Sequence, residues 1–386
     1  MNQYSQKKCV MIIAGEASGD LHGAKLVQGM LDRDPSIFFV GIGGRELRAA
    51  GVRILVDAAE LAVVGISEVL SKGLSLVKGM SKATKLLKTL KPDLLILIDF
   101  PDFNLHMAAK AKPMGIPVLY YISPQLWAWR RGRINKIKTR VDHMAVILPF
   151  EEAFYRKHNV PVTFVGHPLL DERKLLENKK PPDRDIEKRV IGILPGSRDK
   201  EVLRHLPVML SSAALLAQHI KDVRFMVSLA PTVNGALFDR IIGADPALDG
   251  LTVTSEHVSE IFRQSRLVIA VSGTVTLEAA ISGTPTVIIY KVSPFSYWIG
   301  RTLVHVDHIG LVNLIGQKRI VPELVQNEVT PENIAAHVLN ILNDPGVLNQ
   351  TISELAEAGR RLGTAGASKR TAEIALKLMN SRAANS

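Results

Sequence analysis

Short, almost wholly apolar runs recur along this chain. Each is followed by a loop marked by glycine, proline or a carboxylate, and then by residues with helical spacing. CVMIIA at 9–14 precedes LHGAKLVQGMLDRD, and IFFVGIGG, LKPDLLILIDFPDF, IPVLYYISP, HMAVILPF and VTFVGHPL continue the series. Unbroken apolar runs, unlike alternating ones, suit strands covered on both faces, which means a parallel sheet between two layers of helix. A charged, proline-bearing stretch, DERKLLENKKPPDRDIEKR at 171–189, interrupts the series and reads as a linker. The pattern then restarts with RVIGILPGSR, VRFMVSLAP, LTVTSE, RLVIAVSG and TPTVIIYK. A chain of 386 residues exceeds one ordinary core. The sequence therefore predicts an α/β protein with two doubly wound, Rossmann-like domains, 1–180 and 181–364. A C-terminal helix within 365–386 follows a break at 363–368. Ligands of such sheets bind beyond the carboxyl ends of the strands, so a cleft between the domains and loops just after strands are the places to look for a site.

The single cysteine, Cys9, excludes an internal disulfide framework and fits a reducing compartment. It sits in a strand-like run and reads as a small buried hydrophobe. The first apolar run is too short for a signal-peptide core, and no segment reads as a transmembrane helix. The net charge of +11 directs attention to anionic partners: nucleic acid, an anionic membrane or phosphorylated substrates.

In the second domain the strand VIGIL runs into Pro195, Gly196, Ser197 and Arg198 and then a helix. Small residues let backbone approach a ligand, a helix start offers N–H groups and positive potential, and Arg198 adds a bidentate phosphate donor. The strand RLVIAV ends likewise in Ser272, Gly273 and Thr274, with Glu278 one turn into the next helix and placed to accept from a ribose diol or to offset the helix dipole. The stretch SGTVTLEAAISGTPTVIIY resembles the nucleotide-sugar site of GT-B glycosyltransferases. A P-loop signature is absent, and no Cys/His cluster suggests zinc.

The first-domain loop GEASGDLHGA at 15–24 carries two carboxylates, Glu16 and Asp20, where a phosphate cradle would carry none. If phosphates are held by the second domain, these loops face a hydroxyl-bearing acceptor, which needs a general base and acceptors for its hydroxyl protons. Asp20 serves equally as a helix-end carboxylate. A second acidic loop, IDFPDFN, places Asp99 at the end of a buried strand and Asp102 after Pro101, where it reads as a helix N-cap. Asp99 is the preferred base, with Asp102 structural or secondary.

Two of the three tryptophans, Trp127 and Trp129, adjoin a basic run in SPQLWAWRRGRINKIKTR. That interleaving suits base stacking, a membrane interface or a phosphorylated lipid, and equally an aromatic corner beside a solvated helix. In VVGISEVLSKGLSLVKGMSKATKLLKTLK at 63–91, every charge after Glu68 is lysine. The apolar Val63, Val64, Ile66, Val69, Leu70 and Leu74, with Lys72 and Lys78, suit a bilayer interface. Gly65, Gly73 and Gly79 argue against a regular core helix in the earlier part, which is expected to be a flexible membrane-touching element.

Taken together, AGEASGDLHGA, VVGISEVL, DFPDFN, YYISPQLWAWR, VGHPL, LPGSR, SGTVTLEAAISGTP and LVNLIGQKRIVPELVQ resemble the lipid-A-disaccharide synthases over nearly the whole chain. The resemblance implies an inverting hexosyltransferase of GT-B architecture whose last helix returns to the first domain. It joins UDP-2,3-diacylglucosamine to 2,3-diacylglucosamine 1-phosphate (lipid X), giving a β(1→6) disaccharide 1-phosphate and UDP. It further implies no cofactor and no metal, a cytoplasmic enzyme peripheral to an anionic inner-membrane surface, no nucleic acid partner, and room for a homodimer. By matched position it makes Asp99 the base, Arg198 the cation on the departing diphosphate, and Glu16, Ser18, Asp102, Ser197, Ser272, Gly273, Thr274, Glu278, Asn313, Glu323 and Gln326 substrate-binding. The rival function is another GT-B enzyme on soluble UDP-sugars, such as a UDP-sugar 2-epimerase. A third possibility is a non-catalytic basic protein binding nucleic acid or membrane; no nucleic-acid-binding signature supports the former.

Overall fold

The computed structural model describes residues 8–58, 69–128, 131–171, 189–244, 250–293, 297–298 and 306–385. It divides into two compact units, Met1–Glu172 with Gly363–Ser386, and Arg173–Leu362.

In the first unit seven strands form one parallel sheet: β1 (Cys9–Ala14), β2 (Phe38–Gly43), β3 (Arg53–Asp57), β4 (Leu94–Ile98), β5 (Val118–Tyr121), β6 (His143–Val146) and β7 (Val162–Phe164). Their spatial order is β3-β2-β1-β4-β5-β6-β7, so the direction of winding reverses between β1 and β4. Neighbouring strand ends at such a reversal leave room for a ligand beyond their carboxyl ends. Helices α1 (Ala17–Leu31), α2 (Arg45–Ala49), α3 (Val69–Leu90), α4 (Pro101–Ala111), α5 (Ile134–Arg140) and α6 (Pro149–Lys157) fill the connections. The strands are apolar throughout because both faces are covered. Met11 and Ile13 enter one core layer with Leu87 of α3, while Val10 and Ile12 enter the other with Leu26 of α1.

The second unit repeats the scheme with six strands, β8 (Val190–Leu194), β9 (Arg224–Ser228), β10 (Leu251–Thr254), β11 (Leu267–Val271), β12 (Thr286–Tyr290) and β13 (Glu323–Val325), in the order β10-β9-β8-β11-β12-β13. Its reversal lies between β8 and β11. Its helices are α7 (Asp199–His219), α8 (Gly235–Ala244), α9 (Val258–Gln264), α10 (Val275–Ser282), α11 (Leu311–Gly316), α12 (Pro331–Asn343) and α13 (Pro345–Arg361).

The chain then re-enters the first unit as α14 (Ala367–Asn385). Its Ala372 approaches Gly29 of α1, where a glycine Cβ would stand 3.4 Å from the Ala372 Cβ. Ala367, Ala372, Ala375 and Met379 are buried in the same core layer as α1. Arg33 donates to Glu373 at 2.5 Å, and Lys8 donates to Asn380 at 2.9 Å.

The lysine-rich stretch departs from its sequence reading. Residues 69–90 form one continuous helix that runs through Gly73 and Gly79. Each glycine costs about 1 kcal/mol of helix propensity. Burial of Ala83 and Leu87 at 0% exposure anchors the second half and outweighs that cost. Val63, Val64 and Ile66 lie outside the described residues, as do the side chains of Val69, Leu70, Lys72 and Leu74. Lys78 is exposed on the helix.

Candidate active site

The reversal in the first sheet brings the β1 loop and the β4 loop side by side. After β4 the chain turns sharply. Asp99 and Phe100 both take left-handed backbone conformations, with φ of 46° and 47°. Beside them Ile122, at the end of β5, has φ 61°. A left-handed conformation costs a non-glycine residue about 1–2 kcal/mol, and a β-branched residue rarely adopts one. Strain of this kind persists only where the surroundings over-determine it, and it gathers at functional sites.

Hydrogen bonds and ring packing hold this turn. The Asp99 N–H still donates to the Tyr121 carbonyl at 3.2 Å, as the last rung between the two strands. The Asp99 carbonyl, rotated out of the sheet, accepts from the Tyr120 hydroxyl at 2.6 Å and the Asn104 amide at 2.7 Å. The same Asn104 amide donates to the Ile98 carbonyl at 3.1 Å. Phe100 stacks on Phe103 at 5.3 Å and lies over Gly15.

The Asp99 carboxyl is pushed up to about 6, first by burial and then by the nearby Glu16 carboxylate. A carboxylate so placed is a competent general base near neutral pH. Glu16 and Ser18 are exposed at the start of α1, and the Glu16 side chain makes no cap bond to the helix.

Asp20 lies in the first turn of α1, as its helix-end reading expects, and its carboxylate serves a second helix as well. It is 5% exposed and caps a different helix, accepting from the N–H groups of Gly44 at 2.6 Å, Glu46 at 2.8 Å and Leu47 at 3.4 Å. Asp102 is not the N-cap of α4. Phe100 holds that place and Pro101 takes the first helical position, where its missing N–H costs nothing. Asp102 is exposed and pairs with Arg133.

Behind the β5 end lies a buried polar set that sequence reasoning missed. Glu151, 1% exposed, accepts from the Trp127 indole and the Leu148 N–H, both at 3.1 Å. Burial pushes its carboxyl up to about 7. The Ser123 and Tyr155 hydroxyls meet at 2.6 Å. Trp127 packs edge-on against Phe150 at 4.8 Å, so its ring is an aromatic corner, while Trp129 lies outside the described residues. His167, in the VGHPL segment, is buried and held near 3 by desolvation and then by His22, so it is neutral.

In the second unit, β8 and β11 present loops 195–198 and 272–274. Gly196 has φ 112° and sits against Glu201, where a Cβ would approach within 2.6 Å. The Glu201 carboxylate accepts from the Ser197 N–H at 2.9 Å and pairs with Arg198 at 3.0 Å. The N–H groups expected to face phosphate thus already include one that meets an internal carboxylate. Ser197 and Arg198 are otherwise exposed. His205 ties this helix start to the end of β12: its Nδ1 bonds the Glu201 carbonyl at 2.8 Å, and its Nε2 accepts from the Lys291 N–H at 3.0 Å. Those two bonds select one neutral tautomer, and burial, the largest influence, lowers the pKa.

Gly273 and Thr274 are exposed ahead of α10, while the Ser272 hydroxyl donates to the Ile309 carbonyl at 3.1 Å. Glu278 is half-buried in the first turn of α10. Asn313, Glu323 and Gln326 are engaged with the loops around them. Asn313 donates to the Val321 carbonyl and to Glu323, and accepts from the Ile320 and Val321 N–H groups, all at 2.8–3.0 Å. All four hydrogen-bonding places of its amide are filled. Glu323 also accepts from the Ile309 and Gly310 N–H groups at 2.9 Å. Gln326, at φ 54°, pairs both ways with the Val292 peptide. Among the described residues no three His, Cys, Asp or Glu side chains gather as a metal site, and no helix is long and apolar enough to cross a membrane.

Solved structures with the same fold carry different chemistries. The calicheamicin glycosyltransferase superposes with a TM-score of 0.62 at 13% identity, covering 97% of this chain and 99% of that one. The UDP-GlcNAc 2-epimerase of Neisseria meningitidis, solved bound to UDP-GlcNAc, gives 0.62 at 14% identity, covering 96% and 100%. The architecture is therefore GT-B, and the fold alone does not separate transferase from epimerase. Sequence does. The lipid-A-disaccharide synthase of Syntrophus aciditrophicus is 48% identical over 377 residues, 96% of this chain and 98% of that protein. Residues 10–376 match the family described as lipid-A-disaccharide synthetase, to which this chain belongs.

Proposed function

We propose that this chain joins UDP-2,3-diacylglucosamine to 2,3-diacylglucosamine 1-phosphate, releasing UDP and forming a β(1→6) disaccharide 1-phosphate for lipid A. The family match over residues 10–376 carries this reading, and it disfavours the epimerase rival. In the first unit Asp99 takes the proton of the acceptor 6-hydroxyl as that oxygen attacks the donor's anomeric carbon with inversion. Its carboxyl pKa of about 6 leaves it ionised at neutral pH. Glu16 and Ser18 face acceptor hydroxyls, and Asp102 lies at the rim. In the second unit Arg198, with Ser197, offsets charge on the departing diphosphate. Ser272, Gly273, Thr274 and Glu278 hold the nucleotide, and Asn313, Glu323 and Gln326 keep their loops in shape around it. The substrates are anionic lipids, which suits the net charge of +11 and a peripheral position on an anionic membrane.

The test is UDP release in detergent micelles with UDP-2,3-diacylglucosamine, with and without lipid X, for wild type and Asp99→Ala. Release that depends on lipid X and vanishes in the variant supports the transferase and its base. Release that persists in the variant moves the base to Asp102. A folded protein that binds UDP but shows no lipid-X-dependent release overturns the transferase reading.

A further inference from the structure

We propose that Tyr120 and Asn104 are positioning residues for the base: together they clamp the Asp99 carbonyl and so fix the direction of the Asp99 carboxylate. This rests on the reading of Asp99 as base. Two side-chain donors converge on one backbone oxygen, the Tyr120 hydroxyl at 2.6 Å and the Asn104 Nδ2 at 2.7 Å. That oxygen belongs to the peptide linking the two consecutive left-handed residues, Asp99 and Phe100. An unstrained chain would leave this conformation, and the two donors oppose that by receiving a carbonyl that has left the sheet. Both side chains are fully buried. Tyr120 comes from β5 and Asn104 from α4, so the turn is gripped from two elements. The hydroxyl is a dependable donor, because burial keeps its pKa well above the ordinary tyrosine value. The reacting group would thus be aimed chiefly through its main chain, with the Phe100 N–H also donating to the carboxyl itself.

The clamp has a measurable signature. Tyr120→Phe keeps the ring and removes one donor, and Asn104→Ala removes the other. If the turn relaxes, the carboxylate gains water and moves relative to the acceptor. The charged group beside it is Glu16 on the β1 loop, with the Tyr120 hydroxyl facing it from β5. We expect kcat of Tyr120→Phe to fall about 10- to 100-fold, the scale of a misplacement near 1 Å. KM for both substrates should stay within about 3-fold, and the acid limb of the kcat/KM profile should move to lower pH. Asn104→Ala should behave alike, and the double variant should lose less than the product of the two single losses, because one oxygen is shared.

A Tyr120→Phe protein with lowered thermal stability but unchanged kcat and an unmoved acid limb overturns the clamp. Asp99→Asn is run in parallel. If it keeps its turnover, the reading of Asp99 as base has failed. If it is inactive while Tyr120→Phe matches wild type, only the positioning role has failed. Should Asn104→Ala not fold, Tyr120→Phe alone decides, since loss of one hydroxyl preserves the packing.

Discussion

The Phe100 ring lies so close over Gly15 that a Cβ on that glycine would fall 2.4–2.8 Å from three ring carbons. This contact joins the loop after β1 to the loop after β4 across the reversal of the first sheet. Gly15 is required there by close approach. Gly15→Ala must push Phe100 away, and Phe100 shares its strained turn with Asp99. Overpacking of this kind costs about 1–3 kcal/mol. Turnover of Gly15→Ala should fall at least about 10-fold, in a protein whose melting temperature drops by several degrees. Calorimetry and the lipid-X-dependent UDP assay measure the two effects, and wild-type turnover would show that the two loops are independent.

A second expectation concerns pH. Asp99 has a folded pKa of about 6, raised by burial and then by Glu16. The proposed base is protonated below that value, so kcat/KM should fall as pH drops through about 6. Glu16→Gln removes the neighbouring charge and should move this limb to lower pH. Stability has the opposite sense. Between the ordinary aspartate value and about 6 the folded state holds more protons than the unfolded one, so this group's contribution falls as pH rises through that window. Asp99→Asn should therefore be more stable than wild type at pH 8, on the order of 2 kcal/mol after allowing for partial solvent access, and should lose that advantage near pH 4. Urea titrations at both pH values check the sign.

Asp20 separates architecture from chemistry. Its carboxylate takes three N–H groups around the start of α2, and Asp20→Ala leaves them without that acceptor in a closed space. Loss of a cap with its buried donors costs about 1–3 kcal/mol. The variant should be less stable, yet UDP release per folded molecule should stay within about 3-fold of wild type. A stable Asp20→Ala protein with greatly reduced turnover would place this carboxylate at the substrate.

What could be read from the residues follows from what each strand touches. CVMIIA coincides with β1 because a strand buried on both faces is apolar at every position. RILVD and ELV do not stand out as strands, yet they form β3 and β13, each at an edge of its sheet, because charged residues (Arg53 and Asp57, and Glu323) interrupt their short apolar runs. The position of Asp99 was legible because a carboxylate at the end of a buried strand is conspicuous. Tyr120, Asn104 and Glu201 were not, since their partners are carbonyl and N–H groups whose positions only the folded backbone defines. Local propensity misled at Gly73 and Gly79, where tertiary packing decides for helix. The motif segment containing Asn313, Glu323 and Gln326 stood out, but not that these side chains hold backbone.

Glu201 yields the last expectation. Its carboxylate meets the Ser197 N–H and Arg198, the two groups proposed to face the diphosphate. An anion bound there competes with an internal anion for the same donors. Glu201→Gln keeps an acceptor oxygen and removes the charge. Between groups as exposed as these, where the dielectric approaches that of bulk water, one like charge about 4 Å from a phosphate is worth about 1 kcal/mol. UDP should therefore bind the variant about 3- to 10-fold more tightly in isothermal titration. The gap should narrow as salt is raised, because screening weakens the repulsion already present in wild type. Weaker binding by Glu201→Gln would reverse the assignment: the carboxylate would then be the support that aims Arg198 at the phosphate, and its loss would be felt as a slack arginine.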